Sequence, residues 1–208
     1  STDNPMYPRS GSDISLSASF TPPYSLFNNI NYKTADNATK YQWLEYQKWN
    51  YDSWFYLRLA GDLVMASRAH FGLIAPYKAE TGVGPFERFQ LGGDGLTGQS
   101  FLLGTDVIGL RGYPNNSLAP RDIGKDGIQF TADDVVGGTI FNKFVLELRY
   151  PISLAPSATI YGLTFFESGN NWNDFTDFNP YVQYRSAGFG IRIFMPAFGL
   201  MGLDWAYG

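Results

Sequence analysis

The sequence predicts an all-β fold of the membrane-spanning kind: a partial, antiparallel transmembrane β-barrel of about seven strands, with one long loop entering its lumen. Three observations carry this. Aromatic residues make up 17% and glycines number 23, while charged residues are only 16% of the 208, against about 25% in ordinary soluble domains. Several stretches alternate apolar and polar residues with a period of two, as strands between lipid and a wet lumen do. No run approaches the ~18 consecutive apolar residues of a membrane-crossing helix, and mean hydropathy is slightly negative. A soluble all-β binding module would share the glycines and turns but would carry more charge. Extraction of the parent protein into an aqueous phase without detergent would favour that alternative.

The elements follow in order. Asp3 to Gly11 is dense in Pro, Asn, Ser and Gly, a tight connection. Ile14, Leu16, Ala18 and Phe20 then alternate with Asp13, Ser15, Ser17 and Ser19, and Pro22-Pro23 ends this first strand. Tyr24 to Lys40 is a polar, Asn-rich surface loop. From Tyr41 to Leu57 aromatics crowd without a constant phase, which predicts a bulged strand with girdle aromatics at the membrane interfaces. After the turn Ala60-Gly61-Asp62, a strand sets Leu63, Met65, Phe71 and Leu73 on one face. Val64, Ala66, Arg68 and His70 fall on the inward face.

Alternation fades over residues 76–138. A structureless loop of about 60 residues is rare in a domain and is usually functional or disordered, so this segment reads as one long loop whose tip is ordered inside the barrel. Four strands follow. Phe144, Leu146, Leu148 and Tyr150 face out, with Val145, Glu147 and Arg149 inward and Pro151 closing the strand. Ala158 to Gly169 turns Thr159, Tyr161, Phe165 and Glu167 inward. After the Asn/Asp-rich loop 170–180, Ala187 to Met195 alternates with Ser186 to Phe194. The last strand carries Met201, Leu203, Trp205 and Tyr207 outward and Asp204 inward. Seven is an odd number, and a bacterial barrel closes with an even one. Either the long loop hides strands or the chain is part of a larger barrel.

The interior contains three conspicuous charges. Arg111 sits in Gly109-Leu110-Arg111-Gly112-Tyr113, where small neighbours allow delivery into a confined space. Glu147 and Glu167 are lone acids in apolar strands. A buried guanidinium left without a carboxylate costs several kcal/mol or so, so the loop is expected to bring Arg111 to both acids.

Other chemistry is weakly supported. There are no cysteines and one histidine, His70, so neither a disulfide framework nor a zinc site is expected. No Gly-x-Ser-x-Gly elbow accompanies His70, and the expectation is no enzyme, no catalytic residue and no cofactor. A net charge of -4 argues against nucleic acid. Gly92-Gly93-Asp94-Gly95 lacks the Lys-Ser/Thr ending of a phosphate loop. Asp122-Ile123-Gly124-Lys125-Asp126-Gly127, with Asp133-Asp134, is a poor calcium loop, since Gly stands at its third ligand position and Asp at its twelfth. It reads as a solvated surface loop, and no metal is expected.

Several motifs in order carry a resemblance. They are Asp3-Asn4-Pro5 with Tyr7-Pro8-Arg9-Ser10-Gly11; Pro85-Phe86-Glu87-Arg88-Phe89 leading to Gly92-Gly93; Leu110-Arg111-Gly112-Tyr113; and Gly137-Gly138 before Leu146 to Pro151. Phe166-Glu167-Ser168-Gly169-Asn170 follows, then Gly188 to Arg192, and finally Gly202-Leu203-Asp204-Trp205. Nearly end to end, the chain resembles the C-terminal barrel portion of the BamA family, the outer-membrane β-barrel assembly insertases, in a Bacteroidetes-like version. The resemblance implies a sixteen-stranded barrel preceded by POTRA domains, with the Arg-Gly-Tyr loop in the lumen. Arg111, Gly112, Tyr113, Glu147 and Glu167 are then its loop-anchoring set. On it, residues 1–208 cover about seven strands before the closing one, without the seam between first and last strands. Its implied partners are nascent outer-membrane proteins, outer-membrane lipids, assembly-complex lipoproteins and the remaining strands and POTRA domains of the parent chain. A passive pore or protein-secretion barrel of the same superfamily is the alternative, and an outer-membrane enzyme ranks last for want of a catalytic set.

Overall fold

Period-two alternation becomes strand wherever it is sustained. In the computed structural model the described residues are 1–28, 30–84, 87–94, 106–121, 136–155 and 157–208. The strands in chain order are β1 (Gly11–Phe20), β2 (Gln47–Ala60), β3 (Leu63–Ala75), β4 (Phe89–Leu91), β5 (Asp106–Ile108), β6 (Ile140–Ala155), β7 (Ala158–Trp172), β8 (Tyr184–Met195) and β9 (Gly199–Tyr207). Seven of them form one antiparallel sheet in the order β1-β2-β3-β6-β7-β8-β9. Short turns such as Gly61-Asp62 join the strands at one end, and the long connections 21–46, 76–139 and 173–183 lie at the other. This is the up-and-down wall of a partial barrel, and no helix among the described residues is long and apolar enough to cross a membrane.

The two faces differ as the alternation requires. Leu146, Leu148, Tyr150, Phe189, Leu203 and Trp205 are exposed on the outer face, whereas Val64, Ala66, Glu147 and Glu167 are buried on the inner one. The Phe189 and Trp205 rings stack at 5.4 Å on the outside, which suits lipid and would aggregate in water.

Two local expectations need correction. β2 pairs with β1 without a slip from Gln47 to Tyr56, and its irregularity lies between Arg58 and Ala60, beside the turn. Tyr41 and Trp43 precede the strand. The phase is constant after all: Lys48, Asp52, Trp54 and Tyr56 all share the inner face. Trp54 and Tyr56 are therefore not girdle aromatics; they sit under the Arg149 guanidinium at 5.4 and 5.5 Å. Pro151 does not end its strand either. β6 continues to Ala155 through a register shift between Pro151 and Ser153, and a bulge tolerates a residue with no N–H to give the ladder.

The long segment is structured where it is described. β4 and β5 pair in parallel, and Phe89 exchanges backbone hydrogen bonds with Gly138 at 2.9 and 2.8 Å. Strands of three residues are too short to show a period in the sequence. Phe89, Leu91, Ile108 and Leu110 pack with Ile74 and Phe141 of the wall, and the Phe89 and Phe141 rings meet edge to face at 4.6 Å. Gly72 makes this approach possible, because a Cβ there would run into the rings of Phe141 and Phe89. A second cluster, Tyr7, Val64, Tyr161, Leu163 and Phe165, fills the lumenal face near the turn end.

Candidate functional site

The site begins with register. β6 presents Lys143, Val145, Glu147 and Arg149 inward, and β7 pairs so that Val145 faces Glu167 and Glu147 faces Phe165. Two carboxylates thus stand on adjacent strands, one step out of line. β9 adds Asp204, opposite Gly190 of β8. Glycines at 188 and 190 leave the inner face of β8 low between these acids.

The loop delivers Arg111 into this space. Leu110 bridges Gly93, and the chain turns as Tyr113 N donates to Leu110 O at 3.4 Å. Arg111 Nη2 then donates to Glu147 Oε1 at 2.7 Å, and Nε donates to Glu167 Oε1 at 2.8 Å. The Arg111 backbone N–H donates to the other Glu167 oxygen at 2.8 Å. Nη1 reaches Asp204 Oδ2 at 3.3 Å. The guanidinium lies 3.6 Å above the Phe165 ring, so its face meets the π-cloud while its edges meet carboxylates.

Each acid has a second cation. Arg149 holds Glu147 Oε2 at 2.7 Å, Lys143 Nζ lies 3.4 Å from Glu167 Oε1, and Arg192 forks Asp204 at 2.6 and 2.8 Å. Lys143 also donates to Gly109 O at 2.5 Å, gripping the loop just before its tip. Glu167 is 1% exposed. Such a network is stable only when its buried charges are paired and hydrogen-bonded; here each oxygen of the three carboxylates accepts at least one charge-assisted bond.

Gly112 and Tyr113 complete the turn. Gly112 has φ +92°, and a Cβ there would lie 2.9 Å from the backbone at Tyr207 and Gly208. A side chain is excluded on both counts. Tyr113 Oη donates to Arg185 O at 2.8 Å, and its ring meets Tyr184 edge-on at 5.9 Å. Of the residues singled out from the sequence, the structure brings Arg111, Glu147 and Glu167 into direct contact. It sets Gly112 and Tyr113 against β8 and β9. Asp204, Lys143, Arg149, Arg192 and Phe165 join Arg111, Glu147 and Glu167 as partners that no sequence motif singles out. Their inward parity was legible, but the strand register that makes them neighbours was not.

Tyr7 enters from the other end. Its hydroxyl donates to Arg149 O at 2.9 Å and to Asp62 O at 3.1 Å, sharing one proton. Its ring meets Tyr161 at 5.1 Å. Burial pushes this phenol up to about 12, so it remains a donor at neutral pH. His70 packs its ring edge-on against Phe141 at 4.8 Å. Among the described residues no three His, Asp or Glu side chains converge on a metal position. The Asp122–Asp134 stretch, Pro85-Phe86 and Gly95 lie outside the described residues.

Against known proteins, residues 1–208 match the Omp85 superfamily domain. Among solved structures, the chain is similar to BamA from Haemophilus ducreyi lacking POTRA domains 1-3, with a TM-score of 0.68 and 19% identity. That likeness covers 99% of this chain and 36% of the other, so the chain spans a little over a third of that protein's length. At this identity the likeness concerns the fold. No curated protein matches the chain.

Proposed function

The chain belongs to the Omp85 superfamily and is a barrel portion in the bacterial outer membrane; from that premise we propose that it serves an outer-membrane protein assembly and insertion factor. In this reading it folds and inserts β-barrel proteins as the barrel subunit of an assembly complex. Its partners are nascent outer-membrane proteins, the surrounding lipids, accessory lipoproteins, and the POTRA domains and further strands of the parent chain. It uses no cofactor and breaks no covalent bond. An unpaired strand in lipid leaves each N–H and C=O unsatisfied at several kcal/mol or so. A barrel that offers a strand edge supplies those bonds before the client closes on itself.

The observation that supports this most is the pinned loop. Arg111 ties one loop tip to β6, β7 and β9 together, so one side chain joins the loop to three strands of the wall. Anchoring by Arg111, Gly112, Tyr113, Glu147 and Glu167 keeps the barrel in the shape that accepts clients. The test is client assembly in liposomes by the full-length protein carrying Arg111→Ala or Arg111→Glu. The expected result is at least a tenfold loss, the effect of about 1.4 kcal/mol. Wild-type assembly in both variants would overturn the reading. The same pinned tip would serve a passive pore or secretion barrel of the superfamily. Conductance by the full-length protein without acceleration of client folding selects that alternative.

A further inference from the structure

The outer face of the wall carries a feature that the lumenal network does not use. Strand parity turns Trp49, Tyr51, Phe71 and Leu73 outward, and register sets Trp49 opposite Leu73 and Tyr51 opposite Phe71. Two strands further on, the chain leaving β7 does not rise away from the wall. Asp174 caps a short 3-10 turn, Phe175–Asp177, by accepting from Phe175 N at 2.5 Å. Phe178 then meets the outward ring of Trp172 edge-on at 4.9 Å. Trp172 faces outward by parity yet is only 7% exposed, while Phe175 is 56% exposed. The first half of this connection, Asn173 to Asn179, is otherwise Asn, Asp and Thr, yet it turns its two phenyl rings to the outside.

Between these elements lies a groove of about 220 Å³. Phe175 and Phe178 form one side, Trp49 and Tyr51 the other, and Phe71 and Leu73 lie between them. Among the described residues no charged side chain lines it. The groove is continuous with the lipid-facing surface, because Phe71 packs edge-on against exposed Phe144 at 5.3 Å. It also lies at the end of the long connections. Barrels of this type keep short turns in the periplasm and longer loops outside, so the groove opens into the outer leaflet.

We infer that this groove holds one acyl chain of an outer-leaflet lipid. Its place on the lipid-facing side of the wall favours a membrane ligand, and among the described residues no cation lines it to hold a headgroup phosphate. Inside a bilayer there is no hydrophobic gain in moving a chain from lipid to protein. Retention therefore comes from dispersion contacts with a fixed, concave, aromatic surface, and the groove must fit the chain to hold it. The inference rests on the membrane placement of the wall and not on the assembly activity.

The test uses the full-length protein in phosphatidylcholine–phosphatidylethanolamine vesicles containing phosphatidylcholine spin-labelled on its acyl chain. The wild type should show a slowly exchanging, motionally restricted lipid fraction. Leu73→Trp fills the groove, and Phe175→Ser with Phe178→Ser removes one side; each should cut that fraction about fivefold. Leu148→Trp, outward-facing and away from the groove, should leave it unchanged. The paired loop variant changes no strand residue, so it decides the matter if Leu73→Trp fails to fold, which heat-modifiable gel mobility reveals. An unchanged slow fraction in the loop variant, or an equal loss in Leu148→Trp, would overturn the inference.

Discussion

Two side chains enter the lumen from opposite ends of the strands and are held there by opposite means. Arg111 comes from the long connection and is fixed by three carboxylates, Glu147, Glu167 and Asp204. Tyr7 comes from the short connection before β1 and is fixed by two carbonyl oxygens and the edge of the Tyr161 ring. The charged insert is costly to disturb, since any one deletion breaks a buried ion pair even though each acid keeps a second cation. The neutral insert loses only what is removed. They are not independent. Arg149 grips Glu147, the same acid that Arg111 uses, while its carbonyl receives the Tyr7 hydroxyl. One inward residue of β6 therefore bonds to Tyr7 and to an acid that holds Arg111.

The comparison is most severely broken by Arg111→Glu, which places a fourth carboxylate among three. A loss of roughly 3–5 kcal/mol is expected, read as loop cleavage by added protease and a lowered unfolding midpoint of the full-length protein. Next comes Glu147→Gln, which leaves Arg111 and Arg149 sharing a neutral amide. It should cost roughly 2–4 kcal/mol, and a double-mutant cycle with Arg111→Ala should show strong non-additivity. Additive losses would mean that the two groups act separately.

Tyr7→Phe sharpens the contrast. It removes the donor shared by the buried Arg149 carbonyl and the part-buried Asp62 carbonyl and keeps the ring packing, so the expected loss is about 1 kcal/mol in denaturant unfolding, with the loop still protease-resistant. Loop release by Tyr7→Phe would show that the two anchors are one unit. The same residue also sets an alkaline dependence. Tyr7 has its folded-state value raised from 10.0 to about 12, so the folded state holds the proton longer. The corresponding stability is complete below pH 10 and is lost as pH rises through about 12. Tyr7→Phe should flatten the unfolding midpoint across that window, and an unaltered alkaline slope would assign the titration to other groups.

Much of the wall was legible because its evidence is local. Ile14 to Phe20, Phe144 to Tyr150 and Ala187 to Met195 announce a strand and its lipid face within a few residues. β2 was harder, because Trp54 and Tyr56 are aromatic and yet lumenal, and an outward-aromatic rule gives them the wrong face. Their role as platforms for Arg149 depends on a strand far away in sequence. β4 and β5 escaped notice for another reason: three residues cannot display a period, and their partners are set by the loop's packing on Phe141.

Alternation, charge and glycine placement by themselves determined that this chain builds a lipid-facing wall and that Arg111, Glu147 and Glu167 belong inside it. Which inner residues become neighbours was decided only by tertiary structure. A period of two says which face a side chain takes, whereas register says what stands beside it, and register is settled by pairing across the sheet. Asp204 joins Arg111 because distant segments meet there, and Phe178 covers Trp172 because the short turn between them folds back on the wall; neither contact follows from strand parity.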